Sequence, residues 1–236
     1  LKTNISKTPR AVAEAFAGHL IAQAKINAPF NVALSGGSTP KILFDLLAAS
    51  HAQDINWSDI HFYWGDERCV PPADDDSNYK MTVDHLLSKI DFPEENIHRV
   101  LGENTPAEEA VNYGNQIETN LPLANGLPRF DLIILGMGGD GHTASIFPHE
   151  IELLDSDEIC EVATHPESGQ QRITLTGKVI NNAKEICFLV TGAGKTEKID
   201  EIFHRTGGWK SYPASYIRPE DGEITWFMDE AAAEKL

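Results

Sequence analysis

The sequence is poor in cysteine, in positive charge and in long apolar runs. Its three cysteines, Cys69, Cys160 and Cys187, form no CxxC pair and are odd in number, which argues against a disulfide framework and against a cysteine zinc site. A reducing, cytoplasmic setting is expected. Lysine and arginine number 19 against 36 aspartates and glutamates, a formal charge of −17. Such a field opposes non-specific binding to nucleic acid or to an anionic membrane, so neither is expected as a partner. An anionic ligand would need a few local cations to overcome it. The longest apolar runs, such as Leu132–Leu135 and Ile186–Val190, are of strand length, and no basic segment followed by an apolar stretch opens the chain; a soluble, unsecreted protein is expected. The nine histidines never form HxxxH or HExxH, and no EF-hand loop appears. No metal is therefore expected.

What is present is a globular composition, 41% hydrophobic and 23% charged over 236 residues, which fits one α/β domain spanning residues 1–236. Thr8 and Pro9 open an amphipathic helix running to about Asn27, with Val12, Phe16 and Leu20 four apart. Asn31–Leu34 then reads as a strand stopped by Gly36-Gly37, and Pro40 opens a second helical pattern. The same order returns at Asp59–Trp64 with the helical Asn78–Ile90, and Asp131–Leu135 again leads into glycines. Further strands are expected at Ile159–Ala163, Arg172–Leu175, Ile186–Val190 and Ile224–Phe227, with helices near Lys178–Ala183, Lys195–Phe203 and Asp229–Glu234. Alternation of this kind predicts a Rossmann-like, mostly parallel sheet with helices on both faces, which binds ligands at the carboxyl ends of its strands.

Four segments at strand ends carry candidate chemistry. Ser35-Gly36-Gly37-Ser38-Thr39-Pro40 joins two glycines and two hydroxyls to a helix start, a combination that suits a phosphate as well as an ordinary capped turn. Trp64–Pro71 contains Asp66-Glu67-Arg68, which reads either as a salt-bridged surface loop or as the mount of a phosphate-binding arginine. Gly136, Gly138 and Gly141 match GxGxxG, with Glu161 twenty residues further on. A dinucleotide site is rejected there, because Pro148 follows Gly141 by seven residues, too soon for the required helix, and Asp140-Gly141-His142 puts a titratable pair in the turn. His142 is a candidate general base with Asp140 to orient it. Gly194-Lys195-Thr196 imitates the end of a P-loop, but Leu189 stands where the leading glycine belongs. Lys195 remains as a point charge able to pair with phosphate.

Taken together, SGGSTP at Ser35–Pro40, WGDERCVP at Trp64–Pro71, DSNY at Asp76–Tyr79, GMGGDGHTASIFP at Gly136–Pro148, RITLT at Arg172–Thr176 and TGAGK at Thr191–Lys195 resemble the 6-phosphogluconolactonases of the single-domain α/β type. The likeness runs through essentially the whole chain. It implies cofactor-free hydrolysis of 6-phospho-D-glucono-1,5-lactone, a step of the oxidative pentose phosphate pathway, with a sugar phosphate lactone as partner. It makes His142 the base that activates water and Asp140 its neighbour. Gly36, Gly37, Ser38 and Thr39 would line the phosphate and sugar pocket, with Asp66 beside them and Arg68, Arg172 and Lys195 as cationic contacts. Two other readings stay open: a glucosamine-6-phosphate deaminase, and a sugar-phosphate-sensing domain. In the deaminase pattern a glutamate precedes the proline where this chain has Phe147, and an aromatic residue stands where this chain has Arg68. No basic helix-turn-helix segment supports a DNA-bound sensor. The aromatics Trp209, Tyr212 and Tyr216 are expected to pack rather than to line the pocket.

Overall fold

A computed structural model describes all residues from Leu1 to Leu236. Its strands are β1 (Lys2–Ser6), β2 (Phe30–Leu34), β3 (Ile60–Trp64), β4 (Asp66–Arg68), β5 (Leu123–Ala124), β6 (Leu127–Pro128), β7 (Leu132–Leu135), β8 (Cys160–Thr164), β9 (Gln171–Leu175), β10 (Glu185–Val190) and β11 (Glu223–Asp229). The α-helices are α1 (Pro9–Ile26), α2 (Ser38–Ser50), α3 (Asn78–His85), α4 (Pro106–Asn120), α5 (Gly177–Asn181) and α6 (Thr196–His204). Six strands form one sheet in the order β1-β11-β10-β7-β2-β3, and every neighbouring pair is parallel. The expected α/β class is what is observed.

Burial explains which segments became central strands. Every residue of β2, β7 and β10 is buried, as a parallel strand covered on both faces requires. The two faces are covered by different helices. Phe16 of α1 meets Phe227 of β11 edge-on at 5.2 Å, while Phe203 of α6 meets the adjacent Trp226 at 5.4 Å. Successive residues of a strand point to opposite faces, so α1 and α6 lie on opposite sides of the sheet. Helix α1 starts as its sequence dictates: the Thr8 hydroxyl accepts from the Ala11 N–H, Pro9 occupies the first turn, and Val12, Phe16 and Leu20 are buried. Burying each of those large side chains contributes about 1.5–3 kcal/mol.

Several expectations are corrected. The segments at Cys160–Thr164 and Gln171–Leu175 are strands, but they form a separate antiparallel sheet in the order β4-β9-β8. Chain direction decides this. The Gly65 N–H bonds Leu34 O at 2.8 Å while Gly65 O accepts from Leu175 N–H at 2.8 Å, so β3 passes out of the large sheet at Gly65 and into the small one as β4. In the segment Asp229–Glu234, Asp229 closes β11 and the residues after it form turns rather than a helix. There the Asp229 carboxylate accepts from the Gly192 N–H at 2.9 Å and the Thr196 hydroxyl donates to Ala231 O at 2.7 Å, so the segment is tied to the loop and helix that follow β10. Helix α3 stops at His85, five residues short of Ile90, because Leu86 turns inward and is fully buried.

The topology creates a crevice. From β2 the chain proceeds to β3 on one side, whereas from β7 it returns to the large sheet as β10 on the other. Loops leaving the adjacent β2 and β7 therefore diverge, which is where open α/β sheets bind ligands. Those loops are the two glycine-rich segments, Ser35–Thr39 and Gly136–Thr143.

Candidate active site

The turn after β7 is built around its own backbone. Gly138 N–H bonds His142 O at 2.9 Å, Gly141 N–H bonds Gly138 O at 3.1 Å, and the Thr143 hydroxyl bonds Gly136 O at 2.8 Å. Two glycines are obligatory. A Cβ on Gly138 would lie 2.2 Å from the His142 ring and 2.6 Å from the Asp140 carboxylate, and Gly141 has φ +88° with Tyr212 packed 2.6 Å from where its Cβ would be. Tyr212 is buried beneath the turn, as expected of a packing residue. Trp209 and Tyr216 stack on each other away from the crevice, with Tyr216 at the surface.

Held this way, Asp140 Oδ1 accepts from the His142 backbone N–H at 3.1 Å and from Nδ1 at 2.6 Å. Burial disfavours the Asp140 charge, but the hydrogen bonds and charge of His142 outweigh it and hold the carboxyl at about 2. An ionised carboxylate only accepts, so Nδ1 donates to it, and in the neutral imidazole the lone pair falls on Nε2. The fully buried Phe147 packs against the ring, centroid to centroid 4.8 Å, and fixes its plane.

The second wall comes from the small sheet. Arg68 of β4 and Arg172 of β9 are direct antiparallel partners, two like charges where cross-strand pairing normally avoids them. Burial first, then the neighbouring Arg68 charge, lowers the Arg172 pKa. The Nε atoms of both arginines are buried without a hydrogen-bond partner. Such an arrangement is relieved by an anion. What holds it together is Glu67, which is 2% exposed and so contradicts the surface-loop reading. Its carboxylate accepts from the N–H groups of Arg68, Asn78 and Tyr79 at 2.7–2.8 Å and from the Ser77 hydroxyl at 2.9 Å. One buried side chain thus ties β4 to the start of α3. Burial raises the Glu67 pKa, and those four donors pull it back. Asp66 Oδ2 accepts from the Ser145 hydroxyl at 2.6 Å, and Arg172 Nη1 reaches the same hydroxyl at 3.5 Å, linking this wall to the histidine turn.

The third wall is the start of α2, where Gly37 caps the helix without a side-chain hydrogen bond and leaves the first N–H groups pointing outward. The Thr39 hydroxyl lies 2.8 Å from that of Thr191, joining this helix to the loop that carries Lys195. Burial lowers the Lys195 pKa while the charge of Asp140 raises it, so the ammonium sits within the field of the His142 pair.

These walls enclose a cavity of about 240 Å³. His142, Arg68, Arg172, Lys195 and Asp66 all face it, as do Gly36, Gly37, Ser38 and Thr39. Asp140 stands behind the imidazole rather than in the cavity wall. Of the residues not singled out from sequence, Asn78 and Thr191 also face it, and Glu67 and Ser145 brace it from behind. The DSNY and TGAGK motifs were the available signals for Asn78 and Thr191, and Glu67 and Ser145 lie inside quoted motifs that gave them no role. Guanidinium, ammonium, hydroxyl and backbone N–H groups predominate, a set suited to a polar anion, with one imidazole free to move a proton.

Comparison with known proteins shows the family of the chain. The family model described as glucosamine-6-phosphate isomerases/6-phosphogluconolactonase matches residues 4–226. The chain belongs to this family. A 6-phosphogluconolactonase of Haemophilus influenzae is 44% identical over 230 residues, covering 97% of each chain. One from Treponema pallidum is 44% identical over 202 residues, covering 86% of this chain and 84% of its own. The solved 6-phosphogluconolactonase of Trypanosoma brucei superposes with a TM-score of 0.89 at 29% identity, over 100% of this chain and 98% of its own. In this member of the glucosamine-6-phosphate isomerase/6-phosphogluconolactonase family, then, the crevice between β2 and β7 carries one imidazole–carboxylate pair and three cations.

Proposed function

We propose that the chain hydrolyses 6-phospho-D-glucono-1,5-lactone to 6-phospho-D-gluconate by general-base activation of water, without a metal. The observation that carries this reading is the Asp140–His142 pair beside a cavity lined by Arg68, Arg172 and Lys195, in a chain 44% identical to a 6-phosphogluconolactonase. The guanidinium groups and the α2 N-terminus, with Gly36, Gly37, Ser38 and Thr39, hold the phosphate and sugar and bring the lactone carbonyl to the imidazole. His142 Nε2 takes a proton from water as the water oxygen bonds to the carbonyl carbon. Backbone N–H groups or the Lys195 ammonium hold the oxyanion. Collapse breaks the bond from that carbon to the ring oxygen, which receives the proton from the imidazolium, leaving a carboxylic acid that ionises in water. Asp140 stabilises the imidazolium throughout.

The deaminase reading requires a proton-transferring group where Phe147 stands. Phe147 is fully buried between His142 and Arg172, whose guanidinium lies 5.6 Å from its ring centroid, and a phenyl ring transfers no proton. A cytoplasmic setting is part of the proposal and rests on the three free thiols. No helix is long and apolar enough to cross a membrane.

The test follows freshly made lactone in excess chelator, for the wild type and His142→Ala side by side, against the spontaneous opening rate. Fast wild-type turnover that collapses in the variant is expected. A wild-type rate equal to background would remove the lactonase reading, and ammonia release from glucosamine 6-phosphate would replace it with the deaminase.

A further inference from the structure

A second cluster of chemically competent side chains lies at the amino end of the interior strand β10, opposite the crevice. Glu185 and Cys187 are two residues apart on β10 and so share one face, and His19 of α1 packs over that face. Glu185 begins the strand whose far end, Leu189 and Val190, lines the cavity. Five steps of strand lead from Glu185 to Val190, about 16 Å at about 3.3 Å each. This cluster is therefore outside the crevice.

The three groups satisfy one another poorly. His19 Nε2 lies 2.8 Å from Glu185 Oε1, yet off the line of a ring N–H, so this buried nitrogen makes no hydrogen bond. The Cys187 thiol reaches the same oxygen at 3.7 Å, a weak donor to a carboxylate that is itself buried. Lys2, on the neighbouring edge strand, is paired with Glu223 at 2.7 Å rather than with Glu185. Around the cluster the rings of Phe16 and Phe227 stand 6.1 and 5.8 Å from the imidazole, an apolar shell that strengthens any charge interaction inside it.

We propose that His19, Glu185 and Cys187 form a three-ligand site for one borderline-soft divalent cation of the zinc or cobalt class, distinct from the catalytic crevice. Nitrogen, oxygen and sulfur are the ligand set such ions prefer, and three protein ligands leave a fourth position for water. Bonds of about 2.0–2.3 Å in a tetrahedron place ligand atoms about 3.3–3.6 Å apart. The three atoms already lie within 4.8 Å of one another, with the carboxylate oxygen central at 2.8 and 3.7 Å from the other two. Small side-chain rotations suffice. Binding forms metal bonds to imidazole Nε2, carboxylate oxygen and thiolate, and the thiol proton passes to solvent. Burial, and after it the charges of Glu185 and Glu223, raise the Cys187 pKa; a dication among those same carboxylates reverses that field, so binding strengthens as pH rises. The consequence is a cross-link between α1 and β10 that leaves lactone hydrolysis untouched.

The experiment uses the full chain, freed of metal by chelator dialysis and titrated with Co²⁺ alone. One equivalent should give tetrahedral-type visible absorption and a thiolate-to-cobalt charge-transfer band. Both should persist in Cys69→Ser and disappear in Cys187→Ser, while the half-buried His19→Gln should weaken cobalt binding by more than about tenfold. Because Cys187→Ser changes a fully buried side chain, its fold is checked by circular dichroism, and His19→Gln decides if it does not fold. In parallel, Zn²⁺ at a hundredfold excess over Kd should raise Tm by roughly 5–10 °C in the wild type but not in His19→Gln. Absence of the charge-transfer band in the wild type, or a band that survives Cys187→Ser, or unchanged affinity in His19→Gln, overturns the site. Lactone turnover is read separately, so the failure of one proposal is distinguishable from that of the other.

Discussion

Two histidine pairs show how little the residue type says by itself. At the crevice, His142 has a carboxylate behind it at 2.6 Å and the cavity in front. On the edge strand β3, His61 Nδ1 lies 3.0 Å from His98 Nε2, the two rings stack at 5.3 Å, and His98 stacks in turn on Tyr63 at 4.4 Å. No anion supports either of those rings. Burial, and then the His61 charge, push His98 down to about 4, and burial lowers His61. One imidazole is arranged to accept a proton and keep it briefly; the other pair is arranged to stay neutral and pack. The difference lies in the partner behind the ring and the space before it.

That contrast can be broken most severely at His142. Alanine there should lower kcat by about 10²–10⁴, the usual contribution of a general base, while His98→Gln should hydrolyse lactone at the wild-type rate. Equal losses in the two variants would erase the distinction. Asp140→Asn comes next: the amide no longer enforces the Nδ1–H tautomer, and kcat should fall by about 10². Because the folded Asp140 pKa is depressed to about 2, its stabilising contribution is complete above the ordinary carboxylate value and is lost only as pH falls through about 2.

Binding and chemistry should separate at Arg172. Its removal should raise KM about 10–100-fold, the loss of charge-assisted hydrogen bonds of about 1.5–3 kcal/mol, with a smaller change in kcat. A fall in kcat alone would move Arg172 from anion binding into the chemistry. The mildest effect belongs to the stacked pair. His98 is a base with a depressed folded pKa, so between the ordinary histidine value and about 4 the unfolded chain binds the extra proton. Stability should decline as pH falls through that window and level off below it, and urea midpoints of His98→Gln should show a shallower slope.

Much of the fold was legible because buried parallel strands and capped amphipathic helices announce themselves locally. Ile186–Val190 is an unbroken apolar run, and Thr8-Pro9 marks the first turn of α1. The misses have physical causes. Strand β1 is an edge strand with mostly exposed residues, so it shows no apolar pattern and exists through its pairing with β11. Helix α4 has its cues in Pro106, Glu108, Ala110, Tyr113 and Ile117, but polar neighbours dilute its apolar pattern. The Asp229–Glu234 segment has helical composition, yet its polar groups are claimed by Gly192 and Thr196.

By itself the sequence determined the order of strands and helices, the glycine turns that only glycine can make, and the residue types gathered at the strand ends, since these follow from periodicity and backbone sterics within a few neighbouring positions. Only the tertiary structure decided that Arg68 faces Arg172 across two strands, that Glu67 is a buried brace rather than a surface charge, and that His142 rather than His98 faces a cavity with a carboxylate at its back. Each of those depends on which distant segment a side chain meets, and burial and charge, which set its chemistry, exist only once the chain has closed around it.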